Sequence, residues 1–295
     1  MVERAKEVLA EHLARPLSPA IYLVATPIGN LADISLRALS VLCRTDLIAA
    51  EDTRHSRKLL SHFGIKAELT PYHEHNAAKE RPKLLSRVRA GQAVAIISDA
   101  GTPLISDPGY KLVREALEQG LAVVSIPGPS AVLAGLTSAG LPTDTFLFAG
   151  FLPPKSGPRR ARLEELKDIP ATLVFFETAS RLGKALGDMA EVFGGREAAI
   201  AKELTKLHES LSRGRLDALA DSIGSVEDIR GEFVLLVAPP TQDERQASDS
   251  DILAALERAL SEESFRDAVR SVSDRLGARK SHVYELGLTL TRAKT

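Results

Sequence analysis

Short apolar runs alternate with helix-period segments along most of this chain, and that alternation restricts the fold more than any other feature. Strand candidates occupy residues 21–25 (IYLVA), 47–51 (LIAAE), 94–99 (VAIISD) and 121–128 (LAVVSIPG). Between them, SLRALSVLCR and YKLVREALEQG place apolar residues at helical intervals, and Gly120 sits where a helix C-terminal glycine belongs. Repeated strand–helix units imply a mostly parallel sheet covered on both faces. A stretch rich in Gly, Pro and Ser follows, and then a second strand series at 145–150, 172–177, 197–204 and 232–238. The expected fold class is α/β: two α/β lobes with a cleft between them, plus a small C-terminal helical unit. The boundaries read as an N-terminal extension (1–19), an N-terminal α/β domain (20–130), a C-terminal α/β domain (131–240), a linker (241–250) and a helix-turn-helix-like domain (251–295). With 295 residues and 44% hydrophobic content, the chain has material for two cores.

Three strand ends carry turns suited to a ligand. The segment SDAGTPLISDPG follows the run 94–97, which puts Asp99 at the carboxyl end of a parallel strand, where open α/β sheets bind ligands. Gly101 lets backbone approach a ligand, and Thr102 adds a hydroxyl and an amide. Alone, Asp99 reads as a turn cap. The segment PGPSA places Ser130 and Ala131 at a helix opening whose amides face the same crevice. The turn Pro27-Ile28-Gly29 follows a third strand. It has neither a dinucleotide glycine spacing nor a phosphate-loop lysine, which argues against ATP.

Taken together, VATPIGNLADIS, AAEDTRHSRKLL, SDAGTPLISDPGY, PGPSA, GFLPPKSG and KELTK resemble the tetrapyrrole-methylase fold family, the class III S-adenosylmethionine methyltransferases, and within it the members that methylate ribosomal RNA. The resemblance covers residues 20–240, and the helical tail is similar to the helix-turn-helix of those members. It implies two α/β domains, S-adenosylmethionine in the cleft, a homodimer, and methylation of a cytidine 2′-hydroxyl in the decoding region of 16S ribosomal RNA. Family members carry a glycine-proline-glycine turn where this chain has the bulkier Thr26-Pro27-Ile28-Gly29, expected as part of the cleft floor. The resemblance assigns donor contacts to Pro27, Ile28, Gly29, Asp99, Ala100, Gly101, Thr102, Pro103, Ser130 and Ala131.

Transfer to a ribose hydroxyl requires removal of its proton. The segment EDTRH (51–55) offers His55 or Asp52 as acceptor, while Arg54 suits a phosphate. A salt-bridged strand end explains the same residues equally well. Glu177, Arg181, Glu203 and Lys206 are further candidates from the second lobe, as ligands or as structural ion pairs. The basic stretch PPKSGPRRAR reads as a mobile loop whose Pro and Gly delay any helix, with Lys155, Arg159 and Arg160 on RNA phosphates.

Composition bounds the alternatives. Lysine and arginine number 38 against 39 acidic residues, so an RNA surface must be local. Residues 266–295 hold seven basic and three acidic residues, which favours a binding role for the tail over a packing appendage; Gly277 breaks its helices and Ser281 caps the last. The single Cys43 excludes an internal disulfide and reads as a core thiol. His73 and His75 lack a third partner, so no metal is expected and an RNA-facing loop is favoured. No apolar run reaches transmembrane length, and the first twenty residues lack a signal-peptide centre, which points to the cytoplasm. Two rival readings remain. One is tetrapyrrole methylation on the same fold; the other is a non-enzymatic nucleic-acid binder whose cleft senses a ligand. Methyl turnover on RNA and on precursor tetrapyrroles discriminates them.

Overall fold

The computed structural model describes residues 2–224, 230–241 and 249–292. The expected linker falls largely outside them. The first lobe follows helix α1 (Val2–Leu13) and runs β1 (Ala20–Val24), α2 (Leu36–Arg44), β2 (Leu47–Ala50), α3 (Thr53–His62), β3 (Leu69–Pro71), α4 (Ala77–Arg89), β4 (Ala93–Ile97), α5 (Tyr110–Glu118) and β5 (Val123–Ile126). Its five strands are all parallel, in the order β3-β2-β4-β1-β5. Side chains alternate across the pleat. Ala20, Tyr22 and Val24 of β1 join a cluster with α2 residues Ala38, Val41 and Leu42, while Ile21 joins Leu84, Leu85 and Leu112 on the other face.

The second lobe runs α6 (Ala131–Ala139), β6 (Phe146–Phe151), α7 (Ser156–Leu166), β7 (Thr172–Thr178), α8 (Leu182–Phe193), β8 (Glu197–Lys202), β9 (Ser210–Arg215), α9 (Leu216–Gly224) and β10 (Glu232–Val237). Its strand order is β6-β7-β10-β8-β9, and only β6 and β7 are parallel. The mostly parallel expectation therefore holds for the first sheet alone. In the second, β8 and β9 are antiparallel neighbours and β10 inserts between β7 and β8. Phe233, Leu235 and Val237 of β10 face the helices α7–α9, and Val234 and Leu236 face α6. Ile28 of the first lobe packs in this second cluster beside Val132 and Leu136, so one apolar contact joins the lobes.

Helices α10 (Asp249–Ala259), α11 (Phe265–Leu276) and α12 (Lys280–Arg292) enclose a small core of Ile252, Leu256, Val269, Val272 and Val283. Ser264 caps α11, its hydroxyl accepting from Asp267 N–H, and Gly277 ends it at φ +62°. Ser281 is not a cap, because α12 has already begun at Lys280. Cys43 corrects another expectation: it lies on the exposed face of α2, one position off the buried Leu42. No described helix is long and apolar enough to cross a membrane.

Candidate active site

Adjacent strands β4, β1 and β5 end in three loops that are stitched together. Thr26 N–H donates to Gly101 O at 2.9 Å, and Gly101 N–H donates back to Thr26 O at 3.0 Å. The Thr26 hydroxyl donates to Ser98 O at 3.2 Å, and the Thr102 hydroxyl to Pro129 O at 3.2 Å. Gly101 holds φ +79°, and a Cβ there would stand 3.3 Å from Ile28 Cγ2, so both conformation and space require glycine. Ser130 caps α6, its hydroxyl accepting from Leu133 N–H, and Ser130 and Ala131 put the opening of that helix on the crevice wall.

Between these loops and the second lobe lies a cleft of about 360 Å³, within the ~300–1,000 Å³ of typical small-molecule sites. Seven of the ten residues expected to touch the donor line it: Ile28, Asp99, Ala100, Gly101, Thr102, Ser130 and Ala131. Pro27, Gly29 and Pro103 do not. Gly29 instead receives the second lobe, since a Cβ there would meet Lys206 Cγ at 2.4 Å. Asn30 N–H donates to the Thr205 hydroxyl at 3.2 Å at the same junction. Pro103 closes a smaller recess with Glu51, Tyr72, Ser98 and Asp107.

Backbone strain concentrates at the rim. Among the described residues, the non-glycine positions with positive φ are Leu104 (+73°) and Ser106 (+64°) on the first-lobe side and Glu203 (+51°) and Thr205 (+67°) on the other. Such conformations cost about 1–3 kcal/mol each and persist where the surroundings impose them, typically at binding sites.

The lining is strongly acidic. Glu51, Asp99, Asp107, Glu177 and Glu232 face one cation, Lys206, which is itself bound by Glu203 at 2.8 Å and Glu232 at 2.9 Å. Burial raises the Glu51 carboxyl above the usual range, and the charges of Asp107 and Asp99 raise it further. Burial also raises Asp107, with Asp99 adding and a hydrogen bond to Ser98 opposing. Glu177 is buried; its Oε1 accepts from Thr178 N–H at 2.8 Å and lies 3.2 Å from Arg181 Nε, while Oε2 has no hydrogen-bond partner among the described residues. Phe151, Phe176, Leu204 and Val234 supply an apolar wall. Such a cavity rejects bare phosphate and accepts a cation joined to a flat ring. These residues fit S-adenosylmethionine, which combines a sulfonium centre with an adenine.

The segment EDTRH straddles the end of β2, and its side chains part company there. Glu51 lines the cleft. Asp52 instead caps α3, accepting from Arg54 N–H at 2.7 Å and pairing with the Arg54 guanidinium at 3.3 Å. The hydrogen bonds from Arg54 hold the Asp52 carboxyl below the usual range, making it a weaker base. His55 is exposed on the first turn of α3, and neither it nor Asp52 is among the lining residues. Arg54 projects into solvent.

The basic stretch departs from expectation. Pro158 falls in the first turn of a helix, where a missing N–H costs nothing, so α7 starts at Ser156. Arg159 is buried: its Nε donates to Asp188 at 2.7 Å and its Nη1 to Pro153 O and Pro154 O at 3.3 and 3.1 Å. Arg160 bridges Asp188 and Glu191. Arg159 is therefore a brace between α7 and α8 rather than a phosphate contact, and Arg160 is committed to the same brace. Lys155 alone of the three is exposed without such ties. His73 and His75 have ring centroids 6.0 Å apart, and no three metal-ligating side chains converge among the described residues.

The family of tetrapyrrole (corrin/porphyrin) methylases matches residues 20–220. A Mesorhizobium japonicum protein named ribosomal RNA small subunit methyltransferase I is 57% identical over 241 residues, 81% of this chain and 82% of that protein. A Pseudomonas aeruginosa protein of the same name is 46% identical over 271 residues, 91% of this chain and 96% of that protein. Among solved structures, uroporphyrin-III C-methyltransferase from Thermus thermophilus complexed with S-adenyl homocysteine superposes with TM-score 0.54 at 22% identity, over 74% of this chain and 97% of that one. Diphthine synthase superposes with TM-score 0.59 at 16% identity, over 75% and 90%. At such identities the two structures speak for the fold, and the family match and the relatives speak for descent: the chain belongs to the tetrapyrrole (corrin/porphyrin) methylase family and is a methyltransferase.

Proposed function

We propose that the protein transfers a methyl group from S-adenosylmethionine to the 2′-hydroxyl of a cytidine in the decoding region of 16S ribosomal RNA. The observation that carries this reading is identity of 46% over 91% of this chain and 96% of a relative named for ribosomal RNA methylation. The donor supplies an activated methyl whose leaving group is a neutral thioether. The chain supplies position. Gly101 and Thr102 offer backbone at the carboxyl edge of the sheet, Ser130 and Ala131 offer the α6 amides, and the carboxylates face the donor's positive charge.

The acidic cleft excludes RNA phosphates, so the RNA backbone must be held outside it. Arg54 and Lys155 are exposed, and Arg266, Arg270 and Arg275 lie along α11 of the helical unit. We place RNA contacts there. The substrate reading extends to the assembled small subunit and a cytoplasmic site. A second copy of the chain is the expected partner, covering Leu133 of α6 and Phe146 of edge strand β6, which are 52% and 41% exposed. Methyl-donor turnover on small subunits, naked 16S RNA and precursor tetrapyrroles tests the reading. Transfer to RNA supports it; transfer to the tetrapyrrole, or donor binding without transfer to anything, overturns it.

A further inference from the structure

The proton lost by a ribose hydroxyl needs a destination inside the cleft. We propose that Glu51 accepts that proton, an inference that rests on the donor and ribose reading above. Position is the first argument. Glu51 follows β2 at the carboxyl edge of the sheet and lines the cleft with Asp99 and Gly101, unlike its neighbours Asp52 and His55.

Availability is the second. Asp99 Oδ1 accepts from Asp52 N–H at 3.0 Å, and the neighbouring Ser98 hydroxyl opposes the rise of the Asp107 carboxyl. Glu177 is held by Thr178 and Arg181, and Glu232 by Lys206. Among the described residues, Glu51 and Asp107 are the two of these lining carboxylates that make no ion pair and no hydrogen bond within 3.5 Å, and Glu51 is the one of the two that directly follows a strand of the sheet. Its basicity is the third: burial and the charges of Asp107 and Asp99 raise its affinity for a proton, which brings it closer to the pH at which a general base is effective.

The step balances. A lone pair on the ribose oxygen forms the new O–C bond, and the C–S bond breaks with its pair going to sulfur. The O–H bond breaks as its proton passes to the Glu51 carboxylate. One positive charge on sulfur and one negative charge on Glu51 disappear together, and the protonated carboxyl then releases its proton to solvent when the products leave. Net charge in the cleft is unchanged through the transfer, so Asp99 and Asp107 do not face an uncompensated loss.

A binding signature follows that does not depend on turnover. The groups facing Glu51 are Asp99, Asp107 and Tyr72 in its own lobe, with Glu177, Glu232 and Lys206 across the cleft. A sulfonium favours ionised Glu51, whereas the neutral sulfur of S-adenosylhomocysteine does not. The preference of the wild type for S-adenosylmethionine over S-adenosylhomocysteine should therefore fall as pH drops through the Glu51 titration.

The test joins calorimetry of both ligands across pH with single-turnover methyl transfer to saturating RNA. Glu51→Gln should flatten the pH dependence of the ligand preference, and slow transfer by about 10²–10⁴-fold, the usual share of a general base. It should remove the acidic limb of the rate profile, with Glu51→Asp restoring part of the rate. A wild-type rate in Glu51→Gln, or the limb lost in Asp52→Asn or His55→Ala but kept in Glu51→Gln, overturns the proposal while leaving the methyltransferase reading intact. A wild type that binds neither ligand overturns both.

Discussion

Replacing Arg159 by alanine offers a quantitative test, because two accounts of this residue make opposite forecasts. On the sequence alone it is a phosphate contact in a loop, and its loss weakens RNA binding without touching the fold. In the structure its side chain is 3% exposed, and that of its partner Asp188 is 7% exposed. Removing one member of a buried pair costs about 3–5 kcal/mol, since the other charge is stranded. Asp188 keeps the Ser156 hydroxyl at 3.0 Å and Arg160 Nε at 2.8 Å, which places the loss near the lower end. A loss of about 3 kcal/mol corresponds to a melting temperature lower by roughly 6–12 °C in a unit of this size. Arg160→Ala, at a half-exposed side chain, should lower the melting temperature much less than Arg159→Ala. The double variant Arg159→Ala/Asp188→Ala should lose less than the sum of the singles, because no charge is left stranded. Thermal unfolding measures these, with RNA affinity determined well below the transition. An Arg159→Ala variant with wild-type melting and weakened RNA binding would falsify the brace. The pair also has a pH signature. Burial raises Asp188, but hydrogen bonds from Arg160, Arg159 and Ser156 outweigh it and leave the carboxyl below its usual range. The stabilisation is therefore complete above the unfolded value near about 3.9 and is lost as pH falls through the lower folded value.

Three further outcomes are expected. Gly101→Val forces a β-branched residue to φ +79° and a Cβ to 3.3 Å from Ile28; a left-handed conformation costs about 1–2 kcal/mol, so if the loop shifts to relieve it, calorimetry should show donor affinity down by about 5- to 30-fold. Glu51→Gln and Asp107→Asn should raise the melting temperature of the ligand-free protein near neutral pH. Both carboxyls are raised in the fold, so their destabilisation is absent below the unfolded values and grows as pH rises through the folded ones; no gain at neutral pH, or an equal gain in acid, would contradict this. Arg54→Ala with Lys155→Ala should make RNA affinity less steeply dependent on salt while donor affinity stays the same, because fewer counterions are displaced; an unaltered salt slope removes both from the interface.

The parts of this protein legible in its sequence are those set by local chemistry. Strand periods, the glycine at 101 and the serine cap at 130 are dictated within a few residues, and the loops that carry them line the cleft. Four strands of the second sheet were legible but their pairing was not, because whether β10 pairs with β7 and β8 depends on crossings that no local period encodes. Arg159 was misread for a related reason: its partner lies 29 residues away on another helix. The segment EDTRH failed at finer grain. Which of its side chains faces the cleft depends on where β2 ends and the α3 cap begins, a boundary one residue wide. Cys43 fell on the wrong face by a similar margin.

The central claim is that an acidic cleft presents a sulfonium methyl to a ribose hydroxyl of 16S RNA. Its most direct test incubates the protein with labelled S-adenosylmethionine and small ribosomal subunits, then subjects the 16S RNA to alkaline hydrolysis. A 2′-O-methyl group protects the adjoining phosphodiester from alkaline cleavage. The account expects one labelled, alkali-resistant linkage at a cytidine of the decoding region. Label on a base, label that alkali leaves on ordinary mononucleotides, or label that reaches a tetrapyrrole and never the RNA would contradict it.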